Sequence, residues 1–138
     1  MPRARIAKSG TYYLGNKRIR LSPGNLVNMK QQFDQMVRDG VNVPVTLGHS
    51  DKYNNIDPAA VRGKIESVDI VDNELFADVK FAKDFDHSIY KLSIETGDVI
   101  NTLSGQKYNG AIRLVALTPT PVIPTAEFIN DESTQEMA

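Results

Sequence analysis

Arg62-Gly63-Lys64-Ile65-Glu66-Ser67-Val68-Asp69-Ile70-Val71-Asp72-Asn73-Glu74-Leu75-Phe76-Ala77-Asp78-Val79-Lys80-Phe81 is the stretch that decides the fold. In its second half Leu75, Ala77, Val79 and Phe81 alternate with Phe76, Asp78 and Lys80, the period-two pattern of a half-buried strand. Residues 62–71 form the first arm, and Asp72-Asn73 supplies the turn between the two. The apolar phase slips around Glu66-Ser67, which marks a β-bulge. The stretch therefore predicts an antiparallel hairpin, and the rest of the chain must supply the sheet and core around it.

On the N-terminal side, short alternating segments in residues 3–8 and 11–20 are broken by Ser9-Gly10 and Gly15-Asn16-Lys17, which reads as a small β-meander. Ser22-Pro23 then gives an N-cap and a first-turn proline. Leu26, Met29, Lys30, Phe33, Met36 and Val37 follow at helical spacing, and Gly40 stops the run. One substantial helix is expected at about residues 23–39, with Leu26, Met29, Phe33 and Met36 as its core stripe. Val43–Leu47 is a short buried-strand candidate, and His49–Ala60 is a loop long enough to be functional. On the C-terminal side a shorter helix is expected at about 83–90, with strands at 91–100 and 110–117. The proline-rich Thr118–Pro124 cannot sustain a hydrogen-bond ladder and should end the sheet. The expected fold class is α+β, mainly β: a compact, barrel-like antiparallel sheet with these two helices. A single domain should cover residues 1–126, with 127–138 as an acidic, flexible tail.

Composition narrows the function. The chain has 138 residues and no cysteine, which excludes thiol catalysis, cysteine–zinc sites and disulfide frameworks. The basic start Met1–Lys8 is followed by polar residues, not by the apolar core of a signal peptide. No apolar stretch is long enough to span a bilayer, so a cytosolic protein without a membrane partner is expected. Net charge is −1, yet Glu127, Asp131, Glu132 and Glu136 are concentrated at the end, leaving residues 1–126 mildly basic. Lys17, Arg18 and Arg20 belong to a basic stretch that lacks the aromatic interleaving of RNA-recognition sheets, so no nucleic-acid partner is expected; a solvated face or a surface for an acidic partner is the simpler reading.

Two short motifs bear on chemistry. Gly48-His49-Ser50-Asp51 closes the apolar run Val43–Leu47, and Leu92-Ser93-Ile94-Glu95 lies 44 residues downstream. An imidazole in a strand-end turn and a serine within a strand can meet across a folded sheet, where His49 would accept the proton of Ser93. The competing reading is a polar turn that happens to hold a histidine, beside a strand serine with no special neighbour. A metal site built from His49, Asp51 and His87 lacks a recognised ligand spacing, so neither metal nor cofactor is expected.

The order of these pieces resembles the phage head-maturation (prohead) serine proteases of the Mu-like protease and scaffold family, which are related to the herpesvirus assembly proteases. The matching residues are Val43-Pro44-Val45-Thr46-Leu47-Gly48-His49, Gly63-Lys64-Ile65 leading into Leu75-Phe76-Ala77-Asp78-Val79, Lys91-Leu92-Ser93-Ile94-Glu95, and Ala116-Leu117-Thr118-Pro119 with Pro121. The similarity covers roughly residues 40–124. It implies His49 as general base and Ser93 as nucleophile, in an endopeptidase that cleaves scaffold and capsid proteins inside or on the assembling head in the host cytoplasm. The herpesvirus relatives also suggest a homodimer. The chain departs from the family pattern in three places. Ser50 stands where proline is frequent. Arg113-Leu114-Val115 stands where many relatives carry an acid, leaving the third catalytic member open among Asp51, Glu95, Asp98 and His87, with Arg113 as an oxyanion candidate. Relatives often continue into a helical scaffolding region, whereas this sequence is read only as far as a short acidic tail. A catalytically inactive decoration or scaffold component of the capsid with the same fold is the alternative.

Overall fold

The computed structural model describes residues 1–14, 16–51, 55–119 and 126–129. The hairpin that decides the fold consists of β5 (Val61–Val71) and β6 (Glu74–Phe81), paired antiparallel. Asp72 and Asn73 both take positive φ (51° and 62°), the conformation of a two-residue turn that matches strand twist. The register slips between Ile65 and Ser67, so Glu66 is the extra, bulged residue. Gly63 lies opposite Phe81, where a Cβ would stand 2.5 Å from the Lys80 carbonyl oxygen; the strands approach this closely because the residue has no side chain.

Around the hairpin, β1 (Arg3–Lys8) pairs with β6, β4 (Pro44–Leu47) with β5, and β7 (Lys91–Ile100) with β8 (Lys107–Thr118). A short β9 (Glu127–Ile129) lies against β1. The seven strands run in the order β7-β8-β4-β5-β6-β1-β9, and the sheet curls until Leu92 N–H reaches the Ala126 carbonyl at 3.5 Å. A separate hairpin, β2 (Gly10–Leu14) with β3 (Lys17–Leu21), leads into the helix.

That helix, α1 (Pro23–Arg38), starts at a capping box: Ser22 Oγ accepts the Asn25 N–H at 3.1 Å and Asn25 Oδ1 accepts the Ser22 N–H at 2.8 Å. Its stripe of Leu26, Met29, Phe33 and Met36 is buried against β8 and β5. Leu92, Val115, Leu117, Val45, Leu75, Ala77 and Val79 complete the core, each large side chain worth about 1.5–3 kcal/mol on burial. At the helix C-terminus Asp39 accepts the hydroxyl proton of buried Tyr108 at 2.7 Å, tying α1 to β8.

The mainly β, α+β class is the one expected from the sequence, but β1 joins β6 and β9 in the large sheet and forms no meander with β2 and β3, and three further differences follow. First, the segment expected as a helix at 83–90 is a pair of turns. Asp84 takes φ +66°, and Phe85, His87 and Tyr90 pack with Phe81 and Phe128 in an aromatic cluster whose contacts outweigh local helix propensity. Second, the sheet is mixed, because β4 pairs parallel with β8 (Val45 opposite Val115, Leu47 opposite Leu117), a long-range pairing that no turn signal announces. Third, Glu127–Ile129 is a strand and not the start of a tail, because Phe128 joins the aromatic cluster; the rest of the expected tail, residues 130–138, lies outside the described residues. No described helix is long and apolar enough to cross a membrane.

Candidate functional site

The register of β4, β8 and β7 fixes what the site is made of. Thr46, Ala116 and Ser93 are direct neighbours across the three strands, so their side chains share one face. Leu114 and Glu95 form the next row on that face. The opposite face carries Val45, Val115, Leu117 and Leu92 into the core under α1. Strand alternation thus presents Thr46 of β4 and both Ser93 and Glu95 of β7 to the side away from the helix, and Thr46 and Ser93 are the buried polar residues of the described chain.

The chain turns back over this face at Gly48. Its φ of +79° is one that a residue with a Cβ adopts at a cost, and Thr46 Oγ1 donates to the Gly48 carbonyl at 2.7 Å to hold the reversal. His49 and Ser50 are thereby delivered to Glu95. His49 Nδ1 is 3.2 Å from Glu95 Oε1, the Ser50 N–H donates to the same oxygen at 3.2 Å, and Ser50 Oγ donates to Oε2 at 2.5 Å. Arg113 Nη1 completes the set with an ion pair to Oε2. Arg113 reaches Glu95 because of a bulge: Glu95 is opposite Leu114 and Thr96 opposite Ile112, leaving Arg113 as the extra residue. Its Cδ passes 2.9 Å from where a Cβ on Gly97 would be, so the glycine makes room for it.

Electrostatics follow from this crowding. Burial opposes ionisation of Glu95, but the Ser50 hydroxyl and N–H, His49 and Arg113 together outweigh it and hold its carboxyl below the ordinary range. Glu95 is therefore an anion at neutral pH, aimed at the histidine ring. A cavity of about 440 Å³ opens beside the turn, lined by His49, Ser50, Asp57, Ile56, Thr46 and Leu114 among others.

Ser93 lies on the same face as Glu95 but is 1% exposed. Among the described residues its Oγ is the one buried side-chain polar atom with no hydrogen-bond partner, so the bond to His49 expected of an assembled dyad is not formed. Of the acids expected as third member, Glu95 alone bonds to the His49 ring. Asp51 Oδ1 accepts the Asn55 N–H at 2.9 Å, and Asp98 pairs with Lys107 and accepts the Gly110 N–H. His87 stacks on Phe81 at 4.8 Å, in the aromatic cluster. Arg113, expected as an oxyanion donor, is engaged with Glu95. His49, Asp51 and His87 are not brought together, and no group of three or more possible metal ligands occurs among the described residues.

Sequence reasoning passed over Ser50 and Thr46. Ser50 occupies the place of a frequent proline, and its hydroxyl and its N–H, which proline would lack, are two of the groups that hold Glu95. Thr46 was legible as the polar alternate of Val45 and Leu47. No protein family, curated protein or solved structure matches this chain.

Proposed function

We propose that the chain is a serine endopeptidase of the phage head-maturation kind, with Ser93 as nucleophile, His49 as general base and Glu95 as the group that orients the histidine. The observation that carries this reading is the Glu95 carboxylate, held by Arg113 and Ser50 and set 3.2 Å from His49 Nδ1, on the same sheet face as a buried serine hydroxyl without a partner. With Nδ1 protonated and donating to Glu95, the Nε2 lone pair is left to take a proton. Ser93 Oγ transfers its proton to Nε2 as it attacks the scissile carbonyl. The imidazolium, stabilised by the Glu95 anion, returns that proton to the leaving amine; water then repeats the sequence to release the acyl group. Arg113 is a positioning residue here. Ser93 is 1% exposed, so substrate entry requires the groups that cover it to move aside. The substrates proposed are scaffold and capsid proteins, cut in or on the assembling head in the host cytoplasm.

The covered, unbonded Ser93 also favours a second reading, a catalytically inactive decoration or scaffold component of the capsid. Two measurements separate them: labelling of the purified chain with a fluorophosphonate, mapped by mass spectrometry, and co-expression with the cognate capsid and scaffold proteins. The endopeptidase reading expects label on Ser93, lost in His49→Ala, and cut substrate with wild type but not with Ser93→Ala. Uncut substrate with wild type and both variants, under conditions where heads assemble, together with no label on Ser93, selects the inactive capsid component.

A further inference from the structure

Beyond the proposed active site, one surface of the molecule carries cations that the fold does not use. Arg3 pairs with Asp69, Arg5 with Glu74 and Arg113 with Glu95, while Arg38 donates to Gln35 and Arg62 to the Ala59 carbonyl. The remaining arginines, Arg18 and Arg20, have no partner among the described residues. Both project from β3, two residues apart, and the β2–β3 register places Arg18 opposite Tyr13 and Arg20 opposite Thr11. These four side chains therefore share one face of the hairpin, while Tyr12 and Ile19 lie on the other.

The face is exposed and concave. Tyr13 is 69% exposed, and Arg18, Arg20, Tyr13 and Thr11 line a groove of about 460 Å³ together with Ser9 and Ser22. No carboxylate lines it among the described residues. Unpaired guanidinium groups in a concavity with hydroxyls are suited to bidentate recognition of oxyanions, and the neighbouring tyrosine offers an apolar wall with a polar tip.

We infer that this hairpin face is a docking site for an acidic peptide segment of a partner protein. Spacing and size select that occupant. Alternate residues on a strand repeat at about 6.6–6.8 Å, so Arg18 and Arg20 match two carboxylates placed i and i+2 on an extended peptide. A single-stranded nucleic acid is fitted less well, because it is held by a longer cationic track and by several stacking aromatics, whereas this face has one exposed aromatic. The inference is independent of the protease reading: the groove contains none of His49, Ser93 or Glu95.

The test is fluorescence anisotropy on the full chain with three labelled probes: a twelve-residue peptide with glutamate at alternate positions, its glutamine counterpart, and a single-stranded oligonucleotide of equal charge. The expected result is binding of the glutamate peptide alone, weakened by added salt and reduced at least about tenfold in the Arg18→Gln/Arg20→Gln variant. Because both side chains are exposed, that variant should keep the wild-type circular dichroism spectrum and melting temperature; Tyr13→Ala gives a second, smaller loss. Equal peptide affinity in wild type and variant overturns the inference, as does oligonucleotide binding as tight as that of the peptide. Peptide binding seen only after removal of residues 130–138 overturns it too, by assigning the groove to the chain's own acidic segment.

Discussion

At Ser93 the stability of the fold and the proposed chemistry make separate predictions. A hydroxyl buried without a partner loses its bonds to water and gains none in return, at a cost of about 1–3 kcal/mol. Ser93→Ala removes that penalty and leaves almost the same volume, so the variant is expected to be as stable as wild type or more stable by about 1 kcal/mol, while substrate cleavage disappears. Urea unfolding midpoints alongside a cleavage assay check both halves; a variant destabilised by more than about 1 kcal/mol would mean that the hydroxyl is satisfied in solution. Ser50 presents the opposite case, because its Oγ donates to Glu95 at 2.5 Å. Replacing it by alanine deprives the carboxylate of a donor, and we predict a fall in turnover of about tenfold to a hundredfold, with a smaller effect on substrate affinity, read from kcat and KM of the two proteins. Unchanged kcat would remove Ser50 from the positioning of Glu95. The sequence singles out His49 and Ser93 as a proposed pair and leaves Asp51, Glu95, Asp98 and His87 open as the partner of His49. That choice depends on the Arg113 bulge and on the reversal at Gly48, which are tertiary facts with no local signature.

At the scale of elements, what could be read locally is what local chemistry specifies. The β5–β6 hairpin was legible because its alternation, its Asp72-Asn73 turn and its phase slip at Glu66 all point to one structure. The same agreement of cap, stripe and stop made α1 legible. The segment 83–90 was misread because its aromatic residues pack with Phe128, more than thirty-five residues away, and the parallel β4–β8 pairing was missed because nothing in either strand names its partner. Gly63 is the element-scale test of this account. Its missing Cβ would lie 2.5 Å from a backbone oxygen of the neighbouring strand, which cannot rotate away as a side chain would. Gly63→Ala is therefore expected to lose at least about 1–3 kcal/mol, the usual cost of overpacking, measured by chemical denaturation. A neutral substitution would show that β5 and β6 are spaced more widely in solution.

For the molecule as a whole, the Glu95 cluster joins parts of the chain that are remote in sequence: the turn after β4, the middle of β7 and the bulge of β8 meet at one carboxylate. Folding brings His49, Ser50, Glu95 and Arg113 together, and unfolding disperses them, so the proton affinity of Glu95 is coupled to global stability. Its folded-state pKa lies below the ordinary 4.5, since the surrounding donors outweigh the effect of burial. A depressed carboxyl pKa stabilises the fold above the unfolded-state value; this contribution is present at neutral pH and is lost as the pH falls below about 4.5 and through the folded-state pKa. Asp39, held by the Tyr108 hydroxyl, and Asp86, held by Ser88, are depressed in the same direction and share the acid limb. Glu95→Gln removes one of the three contributions and leaves the other two. Its unfolding midpoint should therefore lie furthest below wild type at pH 7, and the two curves should converge as the pH is lowered towards 3, because protonated Glu95 and glutamine are alike in charge. Urea denaturation of both proteins across that range makes the comparison. Parallel curves with a constant gap would show that Glu95 contributes through packing and not through its charge, and would remove the electrostatic argument for an anion held against His49.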